Sequence, residues 1–379
     1  MRETVTVTYA IPAPATEIRI GSGCLTEVWH DCIRERVPGP FRRIAVITDT
    51  RVAREYGDRY AHFFTMQGYD VTLHALPEGE KSKERLVKIA LEDELFGAGH
   101  GRESVIIGVG GGVVLDIAGY VASTFCRGVR YLSVPTSLLA MVDASIGGKT
   151  GVNTPFGKNL VGTVYHPLVT FIDPDCLRTL SDAGIREGMI EVIKHGLIAD
   201  LSLFRYIEKS GDVRKERDSA FLCELISRSC RIKGRIVRQD CMENGIRKIL
   251  NFGHTIAHAV ERSEEYAVSH GEAVAIGILT EGWINQRQGH IDQEEFGAIE
   301  SLLERLEYRP TLSGRTTSEN MMDAMLYDKK AKNGKTRFVM LDGIGKTVSF
   351  QGNYCTEVDE VLVREALQWM IDRFRVTPV

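Results

Sequence analysis

Three of the ten histidines of this 379-residue chain, His254, His258 and His270, lie within 17 residues of mostly apolar sequence. His254 and His258 are four residues apart and therefore share one face of a helix. A second apolar segment, REGMIEVIKHGLIAD (186–200), carries Glu191 and Lys194, and burying such charges is unfavourable unless something compensates them. The histidines favour a metal site or an acid–base site, and one carboxylate with two imidazoles around zinc would leave a position open for substrate. The alternatives are satisfied core histidines and an ordinary surface ion pair between Glu191 and Lys194.

Two lysines, Lys149 and Lys158, lie in a polar, glycine-rich stretch, VDASIGGKTGVNTPFGKNLVG (142–162). This stretch has no helical pattern and no acid after Asp143, so nothing local neutralises the two ammonium groups. The net charge of the chain is −4, so an anion must be held by local positive charge rather than by a global field. The pattern predicts a loop that binds an anion.

A glycine turn, GVGGGVVLD (108–116), follows an apolar strand and opens a helix. Its glycines allow close approach of a ligand, and the N–H groups and dipole of a helix start suit a phosphate. Asp49 ends another buried strand, where an acid can accept hydrogen bonds from a ribose, and Glu80 and Lys83 follow a third. Ligands of parallel sheets bind at the carboxyl ends of the strands, so the three ends together favour a dinucleotide. The alternative is a tight strand-to-helix connection without a ligand.

The elements that must position these residues fall into two halves. Strand and helix patterns alternate at first, which predicts a parallel sheet with helices on both faces. The predicted strands are an opening hairpin (TVTVTYAI and TEIRIGSG) and residues 42–49, 69–76, 104–112, 129–137 and 169–175. From Asp182 to Gln288 apolar residues recur at helical spacing; a short hairpin is expected in 335–350 and an amphipathic helix in 357–374. The predicted fold is α/β plus α: a Rossmann-like parallel-sheet domain, residues 1–178, and a mainly helical metal-binding domain, residues 179–379.

The composition, with 43% hydrophobic and 26% charged residues, is that of a globular protein. The eight cysteines are scattered without a CxxC motif, which predicts reduced thiols in a cytoplasmic protein. No signal-peptide core and no run of about 18 apolar residues is present, so no membrane span is expected. Because the chain has no global basic field, we expect no nucleic-acid partner.

Several long runs resemble the 3-dehydroquinate synthase family of the sugar-phosphate cyclase superfamily. They are GGGVVLDIAGYVASTFCRG, VPTSLLAMVDASIGGKTGVNTPFGKNLVG, EVIKHGLI, NFGHTIAHAVE and SHGEAVAIG, within residues 110–277, with EGEKSK and DKK on either side. The resemblance implies an NAD-binding α/β domain, a catalytic Zn²⁺ (or Co²⁺) held mainly by the helical domain, and a homodimer. It also implies a role in the shikimate pathway.

The resemblance assigns roles to individual residues. The implied metal ligands are Glu191, His254 and His270. The implied NAD-binding residues are Asp49, Glu80, Lys83, Gly111, Gly112, Val113, Asp116, Thr136, Ser137, Lys149, Lys158 and Thr179. The implied catalytic residues are Asp143, Lys194, Lys233, Arg247, Asn251 and His258. The implied substrate-binding residues are Arg127, Lys149, Asn159 and a lysine of DKK, Lys329 or Lys330.

The implied substrate, 3-deoxy-D-arabino-heptulosonate 7-phosphate, carries a phosphate and a carboxylate. The family oxidises it transiently with NAD, eliminates phosphate, re-reduces the ketone and closes the ring by an aldol step to give 3-dehydroquinate. Lys149, Asn159 and Arg127 would hold the phosphate, with Arg127 supplied by the partner subunit. Arg247, whose planar fork matches a carboxylate, would hold the other end. Proton transfer and alkoxide stabilisation would fall to His258, Lys194 and Lys233.

Other functions share parts of this pattern. Cyclases that make 2-epi-5-epi-valiolone or 2-deoxy-scyllo-inosose act on substrates without the carboxylate, so Arg247, Asn251 and His258 together favour the dehydroquinate reaction. An aminodehydroquinate synthase would use a closely similar substrate. Metal-dependent glycerol or alcohol dehydrogenases need no phosphate-binding lysines. A non-catalytic homologue is expected to lose its metal ligands and lysines, and none of these positions is lost.

Overall fold

A six-stranded sheet organises the first half of the chain. The computed structural model describes residues 15–23, 27–210, 213, 217–326 and 336–375. The strands are β1 (Glu17–Ile20), β2 (Arg43–Asp49), β3 (Asp70–Leu76), β4 (Val105–Gly110), β5 (Arg130–Pro135) and β8 (Val169–Ile172). They lie in the order β1-β8-β5-β4-β2-β3, and each neighbouring pair is parallel. The carboxyl ends of the central strands therefore meet at one edge, as the alternating sequence predicts.

Helices cover this sheet. They are α1 (Glu27–Arg36), α2 (Thr50–Val52), α3 (Asp58–Met66), α4 (Arg85–Gly97) and α5 (Gly112–Thr124), and a π-helical turn, Ala53–Gly57, joins α2 to α3. Apolar side chains of β2, β4 and β5 alternate between two buried clusters, one on each face. Burial on both faces explains why these strands read as continuous apolar runs.

The lysine-rich stretch folds as a hairpin rather than the predicted loop. β6 (Lys149–Thr154) pairs with β7 (Gly157–Val164) in an antiparallel two-stranded sheet with an irregularity between Val152 and Thr154. The residues before it, Ala140–Ala144, form a π-helical turn, although the sequence shows no helical pattern there. The backbone of the hairpin is ordered by strand pairing, so its lysines have fixed positions relative to the sheet.

The second half is helical, as predicted. Its helices are α6 (Asp182–Ala199), α7 (Leu201–Lys209), α8 (Ser219–Gln239), α9 (His254–Ser263), α10 (His270–Arg287), α11 (Gln293–Arg305), α12 (Ser318–Leu326) and α13 (Glu360–Phe374). Side-chain caps define several of their starts: Ser181 accepts from Gly184 N, and Ser269 forms a reciprocal capping box with Glu272. α6 and α10 are buried along most of their length, so Glu191 and Lys194 of α6 and Glu281 of α10 lie inside the protein.

Two predicted hairpins differ from the structure. Glu17–Ile20 pairs in parallel with β8, and the first strand of the expected opening hairpin falls in residues 1–14, outside the described residues. In the described part of the segment 335–350, the hairpin is short: an antiparallel bridge joins Leu341 to Thr347, and Val348 N donates to Met340 O at 2.8 Å. The two-residue strand β9 (Arg337–Phe338) pairs instead with β10 (Thr356–Glu357).

The division of the chain at residues 178 and 179 stays a prediction. None of the described helices is long and apolar enough to cross a membrane.

Candidate active site

The carboxyl edge of the sheet carries the predicted dinucleotide residues. Asp49 ends β2, and its carboxylate accepts hydrogen bonds from Arg51 N (2.9 Å) and Val52 N (2.8 Å), which caps the next helix. Glu80 lies beyond the end of β3 and accepts a hydrogen bond from Asn153 Nδ2 at 2.6 Å. The hairpin therefore contacts the sheet edge, and Asp49 has a structural role whether or not it meets a ribose.

The glycine turn connects β4 to α5, and its glycines have different reasons to be small. A Cβ on Gly110 would lie 2.7 Å from Val114, so packing of the strand against its own helix requires glycine there. A Cβ on Gly111 would meet only Ser137 Oγ, at 3.6 Å, and one on Gly112 only Ala144 Cβ, at 3.4 Å. Protein packing explains the first glycine but not the other two, which leave room at the N-terminus of α5 for a ligand.

Three further predicted NAD-binding residues lie at this turn. Val113 is in the first turn of α5, Thr136 N donates to Gly110 O at 3.0 Å, and Ser137 follows Thr136 in the chain. Behind the turn, Lys83 forms a close ion pair with Asp116. Burial raises the pKa of Asp116, and the adjacent Lys83 ammonium only partly opposes this effect.

A carboxylate and two imidazoles meet inside the helical half. Glu191 of α6, His254 at the start of α9 and His270 at the start of α10 place ligand atoms within 4.8 Å of one another. Glu191 is 1% exposed, and among the described residues its partners are the Lys194 ammonium, which forms a close ion pair with it, and the imidazole of His254. His254 turns Nδ1 toward Phe252 O at 3.3 Å and Nε2 toward Glu191 at 3.5 Å. The sequence-based grouping of these three residues is therefore geometrically compatible with a divalent cation.

Two further predicted residues border this cluster. The ring of His258 lies 5.7 Å from the ring of His254, in the edge-to-face arrangement expected for residues on one helix face. Lys194 is fully buried and donates a hydrogen bond to Leu250 O at 2.7 Å. The ion pair between Glu191 and Lys194 is thus internal, which contradicts the alternative of a surface pair.

Asp143 and Lys233 form a second, partly buried ion pair beside the first. Lys233 Nζ lies 2.5 Å from Asp143 Oδ1 and 2.7 Å from Asp143 O. Burial alone would raise the pKa of Asp143, but the ammonium groups of Lys233 and Lys194 hold it below its usual range. Burial lowers the pKa of Lys233.

Asp143, Glu191 and His195 also bring ligand atoms within 4.8 Å of one another. Ammonium groups of Lys194 and Lys233 already pair with both carboxylates of that group. The histidine-rich group is therefore the better cation site, because it offers a second imidazole in place of a lysine-paired carboxylate.

Arg247 and Asn251 lie in a short 3₁₀ helix, Ile246–Asn251, that leads to the histidine segment. Arg247 is buried and donates to Cys241 O at 2.5 Å and Gly147 O at 3.3 Å. A Cβ on Gly147, whose φ is +105°, would lie 2.3 Å from the Arg247 guanidinium, so this glycine permits the close approach. Two of the five guanidinium donors face backbone carbonyls, which fixes the plane of the fork.

Both hairpin lysines meet glutamates from the helical half. Lys149 forms a close ion pair with Glu243, which also accepts a hydrogen bond from Asn251 Nδ2 at 2.8 Å. Lys158 Nζ lies 3.3 Å from Glu261 Oε1 and 4.2 Å from the centre of the Tyr266 ring. As predicted, no acid within the same stretch of sequence neutralises the two lysines. Glutamates that are distant in sequence but close in the folded chain neutralise them instead.

Glu261 also faces His270, with 3.5 Å between its Oε1 and His270 Nδ1. Burial would raise the pKa of Glu261, but the contact with His270 and the charge of Lys158 lower it to about 2. Burial opposes protonation of His270, and Glu261 nevertheless raises the pKa of that imidazole.

Other predicted residues lie apart from this group. Asn159, with φ +56°, lies near the hairpin tip, where its N–H donates to Asn153 Oδ1 at 3.0 Å. Asn153 is four residues along β6 from Lys149, a separation of about 13 Å, so the structure does not bring Lys149 and Asn159 into contact. Thr179 Oγ1 lies 2.9 Å from Tyr56 OH. Lys329 and Lys330 lie outside the described residues.

Arg127 is also remote from the glycine turn within its own chain. It is exposed, has φ +65° and follows the C-terminal end of α5. The 13 residues of α5 separate it from the turn by about 20 Å along the helix axis.

The sequence reasoning missed Glu243 and Glu261. The available signal for Glu261 was its spacing: it follows His254 by seven residues, which puts both on one helix face. Glu243 lies in a turn and shows no comparable pattern.

Comparison with known proteins decides the family. The 3-dehydroquinate synthase N-terminal profile matches residues 73–187, and the 3-dehydroquinate synthase C-terminal profile matches residues 188–331. A 3-dehydroquinate synthase from Pelobacter propionicus is 38% identical over 88% of this chain and 92% of its own. The chain belongs to the 3-dehydroquinate synthase family. Another member, from Synechocystis sp., is 41% identical over 80% of this chain and 85% of its own.

Solved structures of sugar-phosphate cyclases have the same two-domain fold. A 2-epi-5-epi-valiolone synthase from Streptomyces hygroscopicus with NAD⁺ and Zn²⁺ bound is 25% identical, with a TM-score of 0.86 over 97% of this chain and 99% of that one. A 2-deoxy-scyllo-inosose synthase complexed with carbaglucose-6-phosphate, NAD⁺ and Co²⁺ is 25% identical, with a TM-score of 0.83 over 93% and 96%. A glycerol dehydrogenase from Schizosaccharomyces pombe, 15% identical over 94% and 89% with a TM-score of 0.66, shares the fold alone.

Proposed function

We propose that this protein converts 3-deoxy-D-arabino-heptulosonate 7-phosphate into 3-dehydroquinate and inorganic phosphate, as an NAD- and metal-dependent lyase of the shikimate pathway. The observation that carries the proposal is the group formed by the buried Glu191 and the partly exposed His254 and His270, which lies next to the lysine-containing ion pairs. Membership of the 3-dehydroquinate synthase family supports the same reaction.

Glu191, His254 and His270 would hold Zn²⁺ or Co²⁺. A buried carboxylate and an imidazole whose Nδ1 faces a carbonyl suit such a cation, because its ligands must be deprotonated and oriented. The bound metal would supply Lewis acidity that lowers the pKa of a substrate hydroxyl, while NAD would accept a hydride and later return it. The relatives solved with NAD⁺ and with Zn²⁺ or Co²⁺ support both cofactors.

NAD would bind along the carboxyl edge of the sheet. Its pyrophosphate would lie against Gly111, Gly112 and Val113 at the N-terminus of α5, where the N–H groups and helix dipole favour negative charge. Asp49, with one carboxylate oxygen used as a cap, would accept hydrogen bonds from a ribose. The remaining NAD contacts would come from Glu80, Lys83, Asp116, Thr136, Ser137, Lys149, Lys158 and Thr179.

The substrate would be anchored at its two acidic ends. Arg247 would hold the carboxylate with the donors that its two backbone carbonyls leave available. Lys149 and Asn159 would hold the phosphate, and Lys149 would exchange Glu243 for that ligand. Because Asn159 lies about 13 Å along the hairpin from Lys149, the phosphate would have to lie between them. A lysine of residues 329 and 330 would complete the binding site.

Asp143, Lys194, Lys233, Asn251 and His258 would position and move protons. Lys233 and Lys194 would stabilise an alkoxide, since both ammonium groups are already held by carboxylates and carbonyls and need no reorganisation. His258 would transfer a proton at a substrate oxygen. Asn251, held through Glu243, would orient the substrate next to Lys149.

We also propose that the active protein is a cytoplasmic homodimer in which Arg127 reaches the phosphate of the partner site. Its exposure and its distance from the glycine turn of its own chain support this arrangement.

One incubation tests the reaction. Purified protein with NAD⁺ and Zn²⁺ receives the heptulosonate phosphate, and the product is identified by NMR and mass spectrometry. We expect 3-dehydroquinate and one inorganic phosphate per substrate. Glucose 6-phosphate, which lacks the carboxylate, serves as the comparison. If the protein converted glucose 6-phosphate but not the heptulosonate phosphate, it would be a different cyclase. If it preferred the amino analogue to the heptulosonate phosphate, it would be an aminodehydroquinate synthase.

A further inference from the structure

Glu261 joins two groups that belong to different halves of the chain. Its side chain is only 8% exposed, and the same oxygen, Oε1, lies 3.5 Å from His270 Nδ1 and 3.3 Å from Lys158 Nζ. His270 begins α10 and Lys158 lies on the hairpin that follows the sheet, so Glu261 is the common neighbour of a candidate metal ligand and a candidate NAD residue.

The contact with His270 selects a tautomer. A carboxylate accepts hydrogen bonds and does not donate them, so it favours the form of His270 that carries its proton on Nδ1. The lone pair then lies on Nε2, which is the form of a neutral imidazole that binds a metal. His254 has the same pattern, with Phe252 O in place of the carboxylate.

The contact with Lys158 fixes Glu261 in turn. The Lys158 ammonium lies over the face of Tyr266 at 4.2 Å, and Tyr266 follows α9 closely in sequence. The carboxylate is therefore held on one side by the cation and faces the imidazole on the other. Without such a partner, a nearly buried carboxylate would be strongly unfavourable.

We propose that Glu261 is a positioning residue that orients His270 for metal binding and links that ligand to the Lys158 hairpin. This inference rests on the proposed function, because it takes His270 as a metal ligand. A carboxylate that served only to neutralise Lys158 would leave the orientation of His270, and with it the spectrum of the bound metal, unchanged.

The test measures metal affinity without substrate or NAD. Metal-free protein is titrated with Co²⁺ against a chromophoric chelator, and the Co²⁺ absorption spectrum is recorded. We expect E261A to weaken Co²⁺ binding by about 10- to 100-fold and to change the spectrum. We expect E261Q, which keeps the shape and an acceptor oxygen but loses the charge, to weaken binding by about 3- to 10-fold. E265Q, which makes the same change at a nearby exposed carboxylate paired with Arg315, should match the wild type.

The outcomes separate this inference from the proposed function. If the wild type does not bind Co²⁺, or if H270A binds it as tightly as the wild type, the proposed metal site is wrong. If H270A loses binding but E261A stays within about threefold of the wild type, the role of Glu261 is wrong. If E261A does not fold, E261Q decides, and a dissociation constant within about twofold of the wild type overturns the inference.

Discussion

At the scale of single residues, the site is built from charges that are paired across long distances in sequence. Lys149 and Glu243 are 94 residues apart, and Lys158 and Glu261 are 103 apart. Glu191 and Lys194 form a buried pair, and the buried Lys233 pairs with Asp143, whose side chain is partly exposed. Buried pairs of this kind are weak evidence for stability, but breaking one leaves an uncompensated charge, so their arrangement is strongly determined.

The buried guanidinium gives the sharpest prediction at this scale. Replacing Arg247 with lysine keeps the charge but loses the fork that contacts Cys241 O and Gly147 O. We expect kcat/KM for the heptulosonate phosphate to fall by about 10- to 100-fold, which corresponds to the loss of one or two charge-assisted hydrogen bonds. Steady-state kinetics measure this. R238K makes the same change at an exposed position of α8 and should behave as the wild type. If R247K and R238K had equal kinetics, Arg247 would not be the anchor of the substrate carboxylate.

At the scale of elements, local patterns determine some parts of the fold and not others. The strands of the parallel sheet and helices α6 to α10 could be predicted, because burial on defined faces leaves a regular apolar period. The hairpin β6–β7 could not, since its outward-facing polar residues and glycines read as a loop, and its pairing depends on neighbours. Glu243 was missed for a related reason: its importance comes from Lys149 and Asn251 meeting it in space.

Adjacent glycines of the turn should respond differently to the same change. A Cβ on Gly110 would lie 2.7 Å from Val114, so we expect G110A to destabilise the fold by about 1–3 kcal/mol. A Cβ on Gly111 meets nothing closer than 3.6 Å, and its φ of −75° suits any residue, so G111A should fold normally. We expect G111A instead to weaken NAD binding by about tenfold, because the Cβ occupies the space beside the helix N-terminus. Urea unfolding and calorimetric NAD titration measure the two effects; unchanged NAD affinity in G111A would exclude pyrophosphate from this position.

A second prediction at this scale concerns the turn before Arg247. Asp240 accepts hydrogen bonds from the N–H groups of Asn244, Gly245 and Arg247. Burial alone would raise the pKa of Asp240, but the three hydrogen bonds and the charge of Arg247 together outweigh burial and lower this pKa below its usual value. A depressed carboxyl pKa contributes stability above the unfolded pKa of about 4 and loses it as the pH falls through the folded pKa.

We therefore expect D240N to be less stable than the wild type by about 1 kcal/mol at pH 7. The difference should shrink as the pH falls from about 4 to 3, because the wild type then loses the same interaction. Urea unfolding across this range measures it. A difference that stayed constant from pH 7 to pH 3 would mean that the charge of Asp240 does not support this turn.

At the scale of the whole molecule, the sheet half and the helical half each supply part of the candidate active site. The sheet half supplies the glycine turn and the hairpin lysines, and the helical half supplies the histidines and the glutamates that face those lysines. Each half alone would carry an incomplete set of charges. In the proposed dimer, a second subunit also contributes to the site, because it supplies Arg127.

Subunit mixing tests the shared site. R127A and H270A should each be inactive alone, the first through lost phosphate binding and the second through lost metal. In a mixed dimer, the site with the intact His270 receives the intact Arg127 of its partner, so one of the two sites is restored. Random mixing of equal amounts should recover about a quarter of wild-type activity. Heterodimers isolated by two different affinity tags that remained inactive would contradict a shared site.

In the proposed reaction, NAD is reduced and regenerated within one turnover that also expels phosphate. The most direct measurement gives the protein heptulosonate phosphate in about hundredfold excess over NAD⁺, with Zn²⁺ present, and follows NADH absorbance and inorganic phosphate together. We expect phosphate release to continue until the substrate is consumed, with no net accumulation of NADH. Release of phosphate that stopped at the amount of NAD⁺ supplied, or NADH that accumulated without phosphate release, would contradict it.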